Sequence, residues 1–539
     1  MQSDGIKSCA NKFRNRIGVK SVLLFIWKDG LALIGITTLI AIYISLTSRL
    51  RGWFIDDAGI SFSYARNLAL GYGLVSQPGL PPVEGFSNPA WVFLLSIFSC
   101  TGFDIVEIVK PLSVVLTTIS IVVLYLAFLH FTNSKFLALI TLVGLIVQPA
   151  IVIWSVSGLE NPLLLFLIVV LFFICLSSPT SALAILAGIV SGITSITRPD
   201  GILYIPLYAV MHPKYFKQTL FPSIAIWGSY FVFRLIYYGE LVPNTYFMKA
   251  EGKLFSKYRL LTMWGSFKSI LLGIFGPKHL AAATIIILLV LLVILIWKRK
   301  IDRRYLVIGI FLIISLGSYL VLPPDWMGEY RFATPFFPFL YLFITLMIAD
   351  VFNLFVKWVK ITNLAAGILL LCWLASIYFV SYAPRLEEFT ENPTVSFYGV
   401  RADFYRFNRY SAILNLHYPS VLLPDVGGAL YYYPDIRIYD LGGLVDAIVA
   451  RTLNRDQREF YHYVFDVAKP DFIHVHGGWT YAARLEDDPR FRQGYVAISE
   501  YIDQALVMEF GEERYSGDFV RRSLIKTSDE LELLQAVEP

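Results

Sequence analysis

The chain has 539 residues, 56% of them hydrophobic and 16% aromatic, with a mean hydropathy of +0.62. That balance excludes an ordinary water-soluble enzyme. The formal net charge of +5, from 45 basic and 40 acidic residues, excludes a nucleic-acid partner, which needs a dense basic face. The cysteines are Cys9, Cys100, Cys175 and Cys372, so the C-terminal part carries neither a disulfide framework nor a cysteine metal site.

In chain order, the first segment is a basic arm (Lys7, Lys12, Arg14, Arg16, Lys20, Lys28) without a cleavable signal. Charge-free apolar runs then predict eleven membrane spans, near 31–47, 105–131, 136–153, 161–177, 181–197, 201–211, 218–237, 280–297, 305–322, 333–350 and 359–382. The run 201–211 is short and holds Pro206, which predicts a broken helix or one lining a cavity. Ala90–Cys100 is too short to cross and predicts a re-entrant or interfacial helix. The basic arm and the KRKIDRR run at 298–304 belong in the cytoplasm. Counting spans between them places five polar loops on the opposite face. These are the Asp56–Asp57 loop, SGLEN at 157–161, RPDG at 198–201, YYGELVPNTYFMK at 237–249 and DWMGEYR at 325–331. The basic loop 238–279 suits an amphipathic segment lying on lipid.

Beyond about residue 383 charges become frequent. Residues 421–425, 436–440 and 471–476 read as strands and 453–470 as a helix, a βαβ pattern with a parallel sheet. The predicted fold class is therefore an α-helical polytopic membrane protein, with a membrane domain over 1–382 (first external loop 48–104) and an extracytoplasmic soluble α/β domain over 383–539.

Asp56 and Asp57 stand just past the first span, where ionisable groups are costly and a functional reading is the default. Asp57 is also placed to cap a helix from Ala58 to Leu70, with Gly71 as its stop. Acids and cations gathered at the lipid–water boundary suit a substrate whose leaving group is anchored in lipid, such as a polyprenyl-phosphate sugar. Transfer to an acceptor hydroxyl needs a carboxylate base, Asp56 or Asp57. It also needs donors for the departing phosphate, for which Arg198, Arg331 and Lys249 are candidates. Glu84, Asn88, Glu160, Asp200 and Asn244 are placed to bind sugar hydroxyls, and Trp326 beside Asp325 to stack on a sugar ring.

Each of these residues also has a structural reading. Arg198 and Asp200 can close the turn after Pro199, Glu160 can start the following helix, and Arg331 can pair with Glu329. Asn244 can serve a turn, and Lys249 can face lipid. In the C-terminal part Asp425, Asp440, His474 and His476 sit at strand ends, where open α/β sheets place ligands. A transporter or lipid flippase for envelope glycan precursors is the rival reading. It predicts an internal repeat and mid-membrane charges, which the sequence does not display.

The ordered motifs DDA, YARNL, PVEGFSNPAW, SGLENPL, TRPDG, YYGELVPNTYFMK and DWMGEYRF, from Trp53 to Phe332, resemble the GT-C membrane glycosyltransferases. Within them the similarity is to the group that includes the mycobacterial terminal arabinofuranosyltransferases. The C-terminal part matches more loosely, through LPDVGGALYYYPDIRIYDLGGL. The resemblance implies a polyprenyl-phosphate sugar donor, an active site on the outer face of a bacterial plasma membrane and an Asp of the first external loop as base. It also implies an envelope glycan, lipid or protein acceptor and, as the expected course, inversion. Some relatives use a divalent cation, for which Asp57, Glu84 or Asp325 would serve, although no metal-ligand pattern stands out. Asn161, Gln77 and Pro324 depart from the group's usual residues.

Overall fold

The structure, a computed structural model, describes residues 30–249, 257–356 and 358–537. The basic N-terminal arm lies outside the described residues. The chain divides into two compact units. The first takes the segments up to Gly52, Lys110–Tyr230 and Gly252–Pro393; the second takes Trp53–Val109, Phe231–Glu251 and Thr394 onward.

The first unit is helical. Among the described residues of the whole chain, seven helices are long and apolar enough to cross a membrane: Gly30–Ser48, Ile105–Thr132, Pro213–Tyr237, Lys278–Trp297, Arg303–Val321, Phe337–Phe355 and Val359–Glu391. Lys278–Trp297 leaves Ile286, Ile287, Val290 and Val293 exposed. A helix apolar on all sides is stable only where lipid or protein replaces water around it. Where helices of this unit meet, small residues set the distance. A Cβ added to Gly188 would lie 2.2 Å from the Thr219 carbonyl oxygen, and the Ser191 and Ser223 hydroxyls share a hydrogen bond of 2.9 Å. Close backbone approach plus an interhelical hydrogen bond is how helices associate where no hydrophobic force separates them from lipid.

Three expected spans are shorter apolar helices, Lys135–Ile146, Asn161–Leu176 and Ser181–Thr197. Lys135–Ile146 stops early because Gln148–Pro149 breaks the run and a second piece, Pro149–Trp154, begins there. Residues 201–211 are broken at Pro206, into a 3-10 turn at Pro199–Tyr204 and a five-residue helix at Leu207–Met211. Among the described residues of 238–279 the structure forms two helices, Asn244–Lys249 and the 19-residue Lys257–Phe275. The helix Val359–Ile377 runs into a π turn at Tyr378–Tyr382 before Ala383–Glu391 continues.

The second unit holds a five-stranded sheet of order β2-β1-β3-β5-β4, with β1 Ser420–Leu423, β2 Arg437–Asp440, β3 Phe472–Val475, β4 Tyr495–Ile502 and β5 Tyr515–Arg521. β1 is parallel to β2 and β3; β5 is antiparallel to β3 and β4. The predicted strands are the parallel three, and the antiparallel pair is new. The predicted helix 453–470 is a short helix, Gln457–His462, continued by a π turn to Ala468. Leu422, Val449, Phe460, Val464, Ile473 and Phe519 form the core beneath the sheet. Gln77 covers the edge of β2. Its side chain donates to the Ile436 carbonyl at 2.6 Å and accepts from the Ile438 amide at 3.0 Å, which satisfies groups that an open edge would leave unpaired.

Candidate functional site

Ile55 caps the helix Asp56–Ala69 with extended backbone and no side-chain hydrogen bond, so the cap expected of Asp57 is not formed. The helix instead begins with both acids in its first turn, where its positive end favours them. Asp56 is 3% exposed, and its two carboxylate oxygens are taken separately: Oδ2 accepts from the Gly427 amide at 2.8 Å, Oδ1 from the Gly428 amide at 2.7 Å. The DVGG turn after β1 must be glycine for this approach. A Cβ on Gly427 would lie 1.8 Å from the Asp56 carbonyl oxygen, one on Gly428 would lie 2.3 Å from the Phe397 carbonyl oxygen, and one on Gly59 would lie 2.4 Å from Gly427. Burial pushes the Asp56 carboxyl well above the ordinary range, against the pull of the Gly428 and Gly427 amides; Asp425 also raises it. Asp57, the next residue, is only half-buried.

The other predicted residues of this unit are built into its frame. Glu84 meets Arg234 through both oxygens, at 2.5 and 3.0 Å, and its carbonyl accepts from the Asn244 amide at 2.9 Å. The Asn244 side chain donates to the carbonyls of Gly443 and Leu444 at 2.8 and 2.9 Å. The Asn88 side-chain Oδ1 accepts from the Ser61 hydroxyl at 3.2 Å. Lys249 ends the helix Asn244–Lys249, and its side chain lies outside the described residues.

The strand-end residues also have partners. His476 Nε2 lies 2.8 Å from Asp425, and His474 Nδ1 lies 2.7 Å from Asp518, which Arg406 clasps at 2.5 and 3.0 Å. Burial lowers the His474 pKa, while the hydrogen bonds from His474 and Arg406 outweigh burial and hold Asp518 well below the carboxylate range. Asp440 is 1% exposed and burial raises its pKa to about 7.

In the first unit a second cluster forms around Phe332. The guanidinium carbons of Arg198 and Arg331 lie 4.2 and 4.4 Å from its ring centre, and the two arginines are 3% and 6% exposed. Arg198 donates from Nε to Asp200 at 3.0 Å and lies 3.6 Å from Glu160; Asp200 in turn accepts from the Ser318 hydroxyl at 2.7 Å. Arg331 Nε is 2.8 Å from Asp325 Oδ2, but the N–H is not aligned with the oxygen, so the pair is charge contact without a hydrogen bond. Arg198 Nη1 is likewise buried without a hydrogen bond. Arg331 therefore pairs with Asp325, and Glu329, its expected partner, pairs with Arg385. Trp326, beside Asp325, is exposed.

The path into Arg331 is unusual. Gly328, Glu329 and Tyr330 have φ of 74°, 43° and 51°, three successive left-handed residues. For non-glycine residues that costs about 1–3 kcal/mol each and persists only where neighbours impose it. Asn161, a departure from the resembled group, donates to the Arg331 carbonyl at 2.9 Å and to Thr334 at 3.1 Å. Two of the three residues named for a cation are engaged otherwise. Glu84 and Asp325 each face an arginine, and among the described residues no three His, Cys, Asp or Glu are gathered to hold a metal.

Residues 400–520 match a family model described as a domain of unknown function (DUF8728). Across 93% of this chain and 99% of the other, the fold is similar to the crystal structure of ArnT from Cupriavidus metallidurans in the apo state, with a TM-score of 0.52 at 13% identity. The same protein bound to undecaprenyl phosphate gives a TM-score of 0.50 at 11% identity. The chain has the GT-C fold. Its apolar helices make this GT-C chain a multi-pass membrane protein. It is also 29% identical over 245 residues to the terminal beta-(1->2)-arabinofuranosyltransferase of Mycobacterium tuberculosis (strain ATCC 25618 / H37Rv); the match takes in 41% of this chain and spans 39% of that relative's length.

Proposed function

We propose that this GT-C protein transfers one sugar from a polyprenyl-phosphate carrier to a hydroxyl of a cell-envelope glycan, lipid or protein, at the outer face of a bacterial plasma membrane. The acceptor oxygen forms the new bond to the anomeric carbon as the carbon–phosphate oxygen bond breaks. The acceptor proton passes to a carboxylate, the carrier leaves as polyprenyl phosphate, and attack opposite the leaving group inverts the anomeric centre. Asp57 is the base: Asp56 already spends both oxygens on Gly427 and Gly428 and is buried, whereas its neighbour is half-buried. Arg198 and Arg331 hold the phosphate. Asp200, Glu160 and Asp325 orient the two guanidiniums, Trp326 offers an exposed ring to sugar, and Glu84, Asn88 and Asn244 shape the loops of the second unit.

The observation that carries this reading is the Phe332 cluster: two buried guanidiniums share one ring, and each retains an N–H without a hydrogen bond. Each of these N–H groups has a carboxylate nearby, Asp325 at 2.8 Å and Glu160 at 3.6 Å, but no hydrogen-bond geometry to it, and a phosphate oxygen would supply that bond. The similar proteins support it, one being an arabinofuranosyltransferase and another a protein bound to undecaprenyl phosphate. The test is a titration of the purified protein in nanodiscs with undecaprenyl phosphate. Arg198→Met and Arg331→Met are each expected to weaken binding about ten-fold or more, the worth of one charge-assisted hydrogen bond. Unchanged affinity in both variants would refute the phosphate assignment.

A further inference from the structure

The left-handed run at 328–330 is imposed from outside itself. Arg385, on the helix Ala383–Glu391, reaches Glu329 with two donors, Nε to Oε1 at 3.1 Å and Nη2 to Oε2 at 2.5 Å, and gives its third, Nη1, to the Gly273 carbonyl at 2.6 Å. The Trp154 indole, fully buried, donates to the Glu329 carbonyl at 2.9 Å. Tyr330 is pinned on its other side. Its hydroxyl donates to the Ser269 carbonyl at 2.8 Å, and its ring lies so close to Gly273 that a Cβ there would stand 2.2 Å away. Apart from the Arg385–Gly273 bond, each of these bonds falls on one of the two non-glycine residues whose backbone is strained, and the next residue is Arg331. The π turn at Tyr378–Tyr382 contributes as well, because one extra residue per turn rotates everything after it, Arg385 included, relative to a continuous α-helix.

We propose that Arg385 and Trp154 are positioning residues: they lock Gly328–Tyr330 in its left-handed path and thereby aim the Arg331 guanidinium at the donor phosphate. This rests on Arg331 holding that phosphate. The bidentate fork from Arg385 matters because a planar, two-point grip fixes the orientation of the Glu329 side chain, which a single contact does not. If the turn relaxes, Arg331 shifts while remaining folded and charged, and misplacement on the ångström scale is enough to cost binding and rate.

The test compares Arg385→Met, Arg385→Lys and Trp154→Phe with the parent protein in nanodiscs, by amide hydrogen exchange over 327–334 and by steady-state kinetics with a polyprenyl-phosphate sugar. In Arg385→Met, exchange in that segment rises while distant helices stay protected, and the donor KM rises about ten-fold or more with a smaller change in kcat. Arg385→Lys recovers part of both effects. Trp154→Phe, which keeps an aromatic side chain but loses the indole N–H, shows a weaker version of the same pattern. Unchanged exchange over 327–334 in Arg385→Met overturns the proposal. So does raised exchange with an unchanged donor KM in a protein whose Arg331→Met variant does raise it. If Arg331→Met itself leaves the donor KM alone, the phosphate assignment fails, and amide exchange still decides whether Arg385 holds the turn.

Discussion

The carboxylate of Asp56 and the amide of Gly428 meet at 2.7 Å across 372 residues of sequence, and the neighbouring Gly427 amide takes the second oxygen. One side chain thereby ties the start of the first loop helix to the DVGG turn after β1. Its neighbour Asp57 is half-buried, and on the proposed reaction it is the acid that acts as base.

Asp56→Asn keeps the size and loses the symmetry. One amide N–H then faces a side-chain NH2 rather than an oxygen, a buried loss worth about 1–3 kcal/mol. A lower melting temperature in detergent is the expected outcome, with residual activity tracking the folded fraction.

Gly427→Ala tests the same contact from the other side. The added methyl would stand 1.8 Å from a carbonyl oxygen, and since backbone cannot yield as a side-chain tip does, the cost is about 3 kcal/mol or more. Expression yield and thermal unfolding check this, and Gly428→Ala should behave alike.

Asp440 gives a pH signature. Its folded pKa, about 7, lies above the ordinary 3.8, so between those values the native state holds a proton that the unfolded state releases. Stability is therefore lost as pH rises from about 4 to 7, at up to about 1.4 kcal/mol per pH unit, and is flat above that window. The raised Asp56 carboxyl acts in the same direction, whereas the depressed Asp518 carboxyl contributes stability present above about pH 4 and lost below it. Unfolding measured from pH 4.5 to 8 should show the decline, and Asp440→Asn, whose carbonyl can still accept from the Val445 amide, should flatten it.

Three carboxylates, Glu160, Asp200 and Asp325, surround the two arginines at Phe332, so the phosphate proposed to bind there would be held by directed N–H donation rather than by net charge. On the proposed reaction, the leaving polyprenyl phosphate carries more negative charge than the phosphodiester donor and would be repelled more strongly by those acids. Asp325→Asn should therefore tighten inhibition by added undecaprenyl phosphate about ten-fold relative to the donor KM, and it should also lower the melting temperature, because the buried Arg331 guanidinium loses its counter-charge. Product-inhibition kinetics read this directly.

Much of this was legible in the sequence because it is local. Charge-free runs marked the long helices, Pro206 marked a break, and Gly71 stopped the first loop helix, with its φ of 83°. β1, β2 and β3 showed as apolar runs. β5 did not, because YSGDFVR holds a glycine and a charge in mid-strand, and Asp518 is tolerable there only through Arg406 and His474. Partners distant in the chain were also illegible. Nothing near Asp56 announces Gly427, nothing near Glu84 announces Arg234, and the exchange of Arg331 from Glu329 to Asp325 follows from a backbone path that alternation and periodicity do not encode.

The most direct test of the account is single-turnover sugar transfer from a radiolabelled polyprenyl-phosphate donor by Asp57→Asn in nanodiscs, with melting temperature and undecaprenyl phosphate affinity measured on the same preparation. The account predicts a fall of about 10²–10⁴-fold in the rate of transfer, the usual worth of a general base, with stability and carrier affinity unchanged. Transfer at the parental rate by a folded, carrier-binding Asp57→Asn protein would contradict it.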